Sequence, residues 1–232
     1  MFVFTNTVYS VDLSNKSKLR VPFSSQDNKK RVENTLSALS RDKEPINVVL
    51  TFMSHVRDES KVDYPLGIIK IAGTIKDRFQ DSVKIAMIHS LVEGNVANMI
   101  KRIKSEKPKI LGLSLGFGSL GELDEVMNYI QSLPKNERPL VVLGNVVASY
   151  NVLYLLERFP DVLISVGLGE AAMKGIIEYH QSKISKAEIP NIAYIEDGHI
   201  VYSKKTSIQL GSSFIPKDIL QAVVETGGVM YM

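Results

Sequence analysis

From residue 46 onward, short runs of aliphatic and β-branched residues alternate with longer stretches in which apolar residues return every three or four positions. The first pattern is that of a strand buried on both faces, the second that of an amphipathic helix. INVVLTFM (46 to 53) predicts a first strand, and Pro65 to Phe79 a helix with Leu66, Ile69, Ile71 and Ile75 as its inner stripe. VKIAMI (83 to 88) predicts the second strand, followed by a helix near 94 to 105 that turns Val96, Met99, Ile100 and Ile103 inward. The third strand is KILGLSL (109 to 115), with a helix from about Ser119 to Leu133. The fourth is PLVVLG (139 to 144), with a helix around 149 to 158, and the fifth is DVLISV (161 to 166), followed by a helix from Glu170 to His180. Strict alternation of five strands and five helices predicts an α/β fold with a doubly wound, five-stranded parallel sheet over 46 to 181.

The flanks break this rhythm. Residues 1 to 45 predict a small N-terminal cap of two short strands (2 to 9 and 18 to 23) and an amphipathic helix from about Asp27 to Ser40. Residues 182 to 232 read as a hairpin and a linker. In NIAYIEDGHIVYS (191 to 203), Asp197-Gly198 separates two β-rich arms, a strong hairpin signal. The final stretch ends in the apolar run GGVMYM without a terminating cap, as in a chain cut before its next element.

Composition removes several classes of function. With 232 residues, 44% hydrophobic and 23% charged, the chain is long enough and apolar enough for a full core. The net charge of +3 comes from mixed signs. The basic cluster Lys101, Arg102, Lys104, Lys107 and Lys109 has no interleaved aromatic residues, so it reads as a solvated helix face and no nucleic-acid partner is expected. No leader-like start or uninterrupted apolar span is present, which points to a cytoplasmic protein without a membrane segment. Cysteine is absent. This chain therefore offers no thiolate for zinc, for nucleophilic catalysis or for an iron–sulfur cluster.

In an open parallel sheet, ligands bind beyond the carboxyl ends of the strands, where strand order reverses. The loops to inspect are 54 to 64, 89 to 93, 115 to 119, 144 to 149 and 167 to 170. Three of them, SLGFGS, GNVVAS and GLGE, are small, glycine-rich and nearly uncharged. They allow close backbone approach to a ligand. Gly116-x-Gly118-x-x-Gly121 has the spacing of a dinucleotide fingerprint, but it follows the third strand instead of the first, and no acid closes the next strand at Leu143-Gly144-Asn145. No glycine-rich loop ending in Lys-Ser or Lys-Thr follows a strand, and His55, His89, His180 and His199 are scattered, so no catalytic constellation is expected. Glu170 is the one acid in the three loops, suited to the dipole of its own helix and to a polar contact at the rim.

The order of these loops resembles the cobalamin-binding domain that precedes the catalytic barrel in cobalamin-dependent radical SAM enzymes. The matching segments are Tyr64-Pro65-Leu66-Gly67, ILGLSLGFGSLGEL at the third strand, VVLGNVVAS at the fourth, DVLISVGLGEAAMKGIIEY at the fifth, and the hairpin IPNIAYIEDGHIVYS. The resemblance covers about residues 46 to 232. It implies a corrin ring over the strand ends and a nucleotide tail among the third, fourth and fifth loops. Tyr64 and Leu66, Ser114, Leu115, Gly116, Phe117, Gly118 and Ser119, Gly144, Asn145, Val146 and Val147, and Gly167, Leu168, Gly169 and Glu170 are then the cofactor-binding residues. Cobalamin domains that ligate cobalt through histidine carry Asp-x-His-x-x-Gly after the first strand. Here His55 stands in Ser54-His55-Val56-Arg57-Asp58-Glu59, near the right place but without that aspartate or glycine, so no metal ligand is assigned and His55 is kept only as a weak candidate for cobalt; the radical SAM subfamily commonly lacks that histidine. With no cysteine, S-adenosylmethionine and the iron–sulfur cluster are expected only in a catalytic domain joined in cis or supplied in trans, and a methyltransferase is the implied whole. The alternative is a flavodoxin-like regulatory or protein-interaction domain that has lost its ligand, with Asn145, Val146 and Val147 as the residues favouring it.

Overall fold

The computed structural model describes residues 44–53 and 65–206, all within the compact unit Glu44–Met232. The strands and helix predicted before residue 44, the loop holding His55 and Tyr64, and everything after 206 lie outside the described residues.

The alternation read from the sequence is present. β1 (Ile46–Met53), α1 (Leu66–Phe79), β2 (Val83–His89) and the short α2 (Ser90–Glu93) come first, followed by α3 (Val96–Glu106), β3 (Ile110–Leu115) and α4 (Leu120–Ser132). β4 (Leu140–Gly144) runs straight into α5 (Asn145–Tyr150) and α6 (Val152–Arg158), and β5 (Leu163–Ser165) leads to α7 (Gly169–His180). β6 (Ile192–Glu196) and β7 (His199–Tyr202) form the hairpin.

Strand order is β2-β1-β3-β4-β5-β6-β7, with β1 to β5 parallel and the last two antiparallel. The hairpin is therefore part of the sheet, which has seven strands instead of five. Its first arm explains why: Ile192, Ala193 and Tyr194 are all buried, so that arm needs cover on both faces.

Two further differences are local. The stretch expected to be a loop at 144 to 149 is helical from Asn145; there the Ser149 hydroxyl donates to the Asn145 carbonyl and the Asn145 side chain accepts from the Val146 N–H. Asn151 then interrupts the helix, its side-chain amide donating to the Val147 carbonyl at 2.7 Å. Within 89 to 93, α2 closes on Gly94 at φ 75°, after which Asn95 caps α3 by accepting from the Asn98 N–H at 2.8 Å.

The core has two halves. α1 and α7 cover one sheet face, where Ile68, Ile69, Ala72, Met173, Ile176 and Ile177 meet Val48, Leu50, Ile110 and Val142. The helices α3 to α6 cover the other, with Met99, Ile103, Leu123, Val126 and Leu155 against Val49, Leu111, Leu113 and Leu143. This division follows from right-handed crossovers, since the chain steps one way from β1 to β2 and the other way from β2 onward. Each buried Ile or Leu contributes roughly 1.5–3 kcal/mol. α1 and α7 thus lie side by side over the point where strand order reverses, between β1 and β3.

Candidate functional site

Side chains two residues apart on a strand face the same side. In the α1 and α7 face, Leu50, Gly112, Val142 and Leu163 form one register row across the sheet. Nearer the carboxyl edge, Phe52, Ser114 and Gly144 form the next. Along this second row the side chains shrink from a ring to a hydroxymethyl to a hydrogen, and Ser165 continues it at the end of β5. Beneath the first turns of α1 and α7 the sheet floor consequently falls away. The result is a pocket of about 460 Å³ lined by Leu50, Phe52, Gly112, Ser114, Val142, Gly144, Asn145 and Ser165 from the floor, residues between Pro65 and Ile71 from α1, and residues between Gly167 and Met173 from the α7 side. That size suits a small-molecule group.

The glycines have different duties in this wall. A Cβ at Gly112 would come within 2.9 Å of Leu50 Cδ2 and 3.2 Å of Met173 Cε, so Gly112 marks a packed part of the floor. A Cβ at Gly169 would approach Ile71 Cδ1 to 2.7 Å, so this glycine sets how closely α7 lies to α1. At Gly144 the nearest atom would be Ser165 Cβ at 3.9 Å, an ordinary contact, and the space beyond is pocket. Gly167 takes φ 97°, a conformation that favours glycine, and turns the chain from β5 into α7.

Polar groups are few. The Ser165 hydroxyl is buried and has no hydrogen-bond partner among the described residues. Glu170 is 8% exposed and lies in the first turn of α7, whose N-terminus has no side-chain cap. Its carboxylate complements the helix dipole and makes that N-terminus a poor place for a second anion. At the start of α5, the Val146 N–H is already bonded to Asn145 Oδ1 at 2.7 Å. The site is thus suited to an uncharged, largely apolar group with a few hydrogen-bonding atoms.

Of the residues singled out in the sequence, Leu66, Ser114, Gly144, Asn145, Gly167, Leu168, Gly169 and Glu170 come together around this pocket. The loop after β3 turns in on itself, with Ser119 Oγ donating to the Gly116 carbonyl at 2.8 Å and the Gly116 N–H donating to Met53. Leu115 and Val147 are buried in the core half beneath α3 to α6. Phe117, 81% exposed, and Val146, 44% exposed, stand at the carboxyl edge outside the pocket, as does Gly118 at φ 79°. Tyr64 and His55 lie outside the described residues. Sequence reasoning inspected the loops and missed the strand residues Leu50, Phe52, Gly112, Val142 and Ser165 and the α1 residues Ile68 and Ile71. The period of two, counted back from Ser114 to Gly112 and from Gly144 to Val142, carries part of that signal.

Among the described residues no three His, Cys, Asp or Glu side chains are grouped to hold a metal ion, and no helix is long and apolar enough to cross a membrane. His180, whose acidity the fold shifts, sits at the far end of α7. Burial, and secondarily the Lys109 charge, holds its pKa below the ordinary value of 6.5.

Three solved structures have this architecture. OxsB, a cobalamin-dependent S-adenosylmethionine radical enzyme solved with aqua-cobalamin and S-adenosylmethionine bound, superposes on 79% of the chain with a TM-score of 0.67 at 21% identity. OxsB with aqua-cobalamin alone gives a TM-score of 0.69 at 22% identity. The chain has the fold of a part of cobalamin-dependent radical SAM enzymes. The radical S-adenosylmethionine methyltransferase TsrM from Kitasatospora setae, with cobalamin and a [4Fe-4S] cluster bound, matches 74% of the chain with a TM-score of 0.57 at 15% identity. In sequence, 122 residues are 26% identical to 4'-phospho-dehydrooxetanocin synthase from Priestia megaterium, covering 52% of this chain and 16% of that protein. No protein-family model matches. The chain spans about a quarter of OxsB, 26%, and 31% of TsrM. Without cysteine, it has no thiolate with which to hold an iron–sulfur cluster.

Proposed function

We propose that residues 44–206 form the cobalamin-holding module of a radical SAM enzyme, taking the nucleotide tail of cobalamin into the pocket between α1, α7 and the carboxyl ends of β1, β3, β4 and β5. The observation that carries this reading is the pocket itself: it opens at the strand-order switch, is walled by aliphatic side chains, and deepens where Ser114, Gly144 and Ser165 replace larger residues. The fit is chemical as well as spatial. An aromatic base needs close apolar walls, and in this reading it is the base of the tail that enters the pocket, with the phosphodiester that links it to the corrin left toward the carboxyl edge.

In this reading Leu66, Leu168, Gly144 and Ser114 enclose the tail and exclude water, Asn145 and Glu170 supply hydrogen-bonding atoms, and Gly167 and Gly169 let the α7 turn approach closely. Phe117 and Val146, standing on Leu115, Gly116, Gly118, Ser119 and Val147, present apolar surface to the corrin at the carboxyl edge. When bound, cobalamin supplies a cobalt centre able to carry a methyl group. S-adenosylmethionine and the cluster belong to a radical SAM domain in cis or in trans, and the whole works in the cytoplasm as a methyltransferase, the methyl-transfer part of this reading being supported by the likeness to TsrM.

The test is a visible-absorption titration of the purified chain with hydroxocobalamin, followed by desalting. Colour retained near one equivalent supports the proposal. A colourless protein at cofactor concentrations up to ~100 µM, well above the Kd expected of a resident cofactor, overturns it in favour of a domain that has abandoned the ligand.

A further inference from the structure

Asn191 joins two separate parts of the chain, 166–168 and 204–206, through five hydrogen bonds. Its backbone carbonyl accepts from the Val166 N–H at 2.8 Å, and its N–H donates to the Lys204 carbonyl at 3.2 Å. Its side-chain Nδ2 donates to the Leu168 carbonyl at 3.3 Å and to the Thr206 carbonyl at 2.8 Å, while Oδ1 accepts from the Thr206 N–H at 2.7 Å. Two carbonyl acceptors and one N–H donor fix which end of the amide is which. The residue is 4% exposed and takes φ 57°, a left-handed conformation in which Asn and Asp are favoured over other side chains.

The parts joined are distinct in role. Gly167 and Leu168 form the pocket rim at the entrance to α7, and Leu168 offers the ligand a side chain that is 44% exposed. Residues 203–206 are the segment by which the chain leaves the sheet after β7, held there by reciprocal bonds between Ser203 and Ile192 as well as by Asn191. An amide with one donor nitrogen shared between Leu168 and Thr206 makes the position of each depend on the other. The longer of the two bonds is the one to the rim, which leaves that contact free to tighten when a ligand presses on Leu168.

We propose that Asn191 is a positioning residue that couples occupancy of the pocket to the order of the departing segment 203–206. Its ligand, cobalamin, rests on the reading above. Coupling of this kind is reciprocal: a force applied to the segment beyond β7 changes the pocket rim by the same free energy with which the ligand changes the segment. A module that holds a cofactor for chemistry performed elsewhere gains from this, because the chain leading away is set only when the pocket is filled.

The experiment is residue-resolved amide exchange on the full chain, with and without hydroxocobalamin, in the wild type and in Asn191→Asp. Aspartate keeps the backbone conformation and the acceptor for the Thr206 N–H but loses both Nδ2 donations. In the wild type, cobalamin is expected to slow exchange at Thr206 at least ~5-fold, together with the amides of 167–170. In Asn191→Asp, cobalamin is expected to slow only 167–170; the buried carboxylate then faces the Leu168 and Thr206 carbonyls, so the urea midpoint is expected to fall and exchange is compared where both proteins remain folded. Equal slowing of Thr206 in both proteins, or none in a wild type whose rim responds, overturns the coupling.

A ligand-free arm separates this proposal from the cofactor assignment. In the apo chain, Asn191→Asp is expected to speed exchange of the 167–170 amides, none of which bonds to Asn191. The Asn191→Gly variant, which keeps φ 57° without strain, is expected to do the same. Rim amides unchanged in both variants overturn the coupling. A wild type in which hydroxocobalamin alters no amide overturns the cofactor reading, and the apo arm then decides the coupling by itself.

Discussion

Gly144 lies beside Ser114 in the parallel ladder of β3 and β4, and a Cβ added to it would meet nothing nearer than Ser165 Cβ at 3.9 Å. Its backbone is extended, with φ −141° and ψ −174°, so any residue adopts it without strain. A larger side chain here fills the pocket while sparing the fold. Gly144→Leu is expected to unfold in urea at nearly the wild-type midpoint and to lose at least ~10-fold in hydroxocobalamin affinity, about 1.4 kcal/mol. Wild-type affinity in a folded Gly144→Leu would place the cofactor elsewhere.

Phe117 gives the complementary case. Its ring is 81% exposed and packs against little of the protein, so Phe117→Ala is expected to change stability by no more than about 0.5 kcal/mol. If the ring meets the corrin at the carboxyl edge, the variant loses about 0.5–1.5 kcal/mol of hydroxocobalamin binding, the ordinary worth of an aromatic contact. Calorimetric titration of both proteins reads this directly.

Two glycines with opposite surroundings test the packing of the scaffold. At Gly175 a Cβ would meet Pro190 Cδ at 2.7 Å and the Ile189 backbone at 3.3 Å, neighbours that cannot swing aside. Gly175→Ala is expected to cost about 1–3 kcal/mol in urea unfolding, the usual range for overpacking. Gly121, in α4, has nothing within 4 Å of its Cβ position, and Gly121→Ala is expected to stabilise by about 0.5–1 kcal/mol.

The elements themselves were legible because a strand buried on both faces and a helix buried on one leave unmistakable periods, and every strand from β1 to β5 starts within about two residues of its predicted place. The pocket was legible only at its rim. Glycines after strands are visible as loops, whereas Gly112 and Ser165 matter because of what lies across the sheet from them, a relation set by register that a single sequence does not display. The place of the hairpin in the sheet was hidden for a similar reason. Asp197-Gly198 announces a hairpin, but only the burial of Ile192, Ala193 and Tyr194 shows that the hairpin completes the sheet. Asn191 gave no signal, since its partners Leu168 and Thr206 are 23 and 15 residues away.

The pH response of the scaffold follows from His180. Burial, then the Lys109 charge, lowers its pKa in the folded state below the ordinary 6.5. The unfolded chain then binds the proton more readily, so this histidine's contribution is present above about pH 6.5 and is lost as the pH falls through its folded value. Urea unfolding of the wild type is expected to weaken from pH 7.5 to pH 5, and His180→Gln is expected to flatten that slope, each pH set from the same ordinary value. Because His180 ends α7, far from the pocket, cofactor affinity at a pH where both proteins are folded is expected to be unchanged.

The central claim is that the pocket beneath α1 and α7 takes the nucleotide tail. The most direct measurement compares the affinities of the chain for hydroxocobalamin and for cobinamide, which keeps the corrin and lacks the nucleotide. Cobalamin bound at least ~100-fold more tightly than cobinamide, about 2.7 kcal/mol, with the gap narrowed in Gly144→Leu, is the expected result. Equal affinity for the two corrinoids, or a gap untouched by filling the pocket at Gly144, would contradict it.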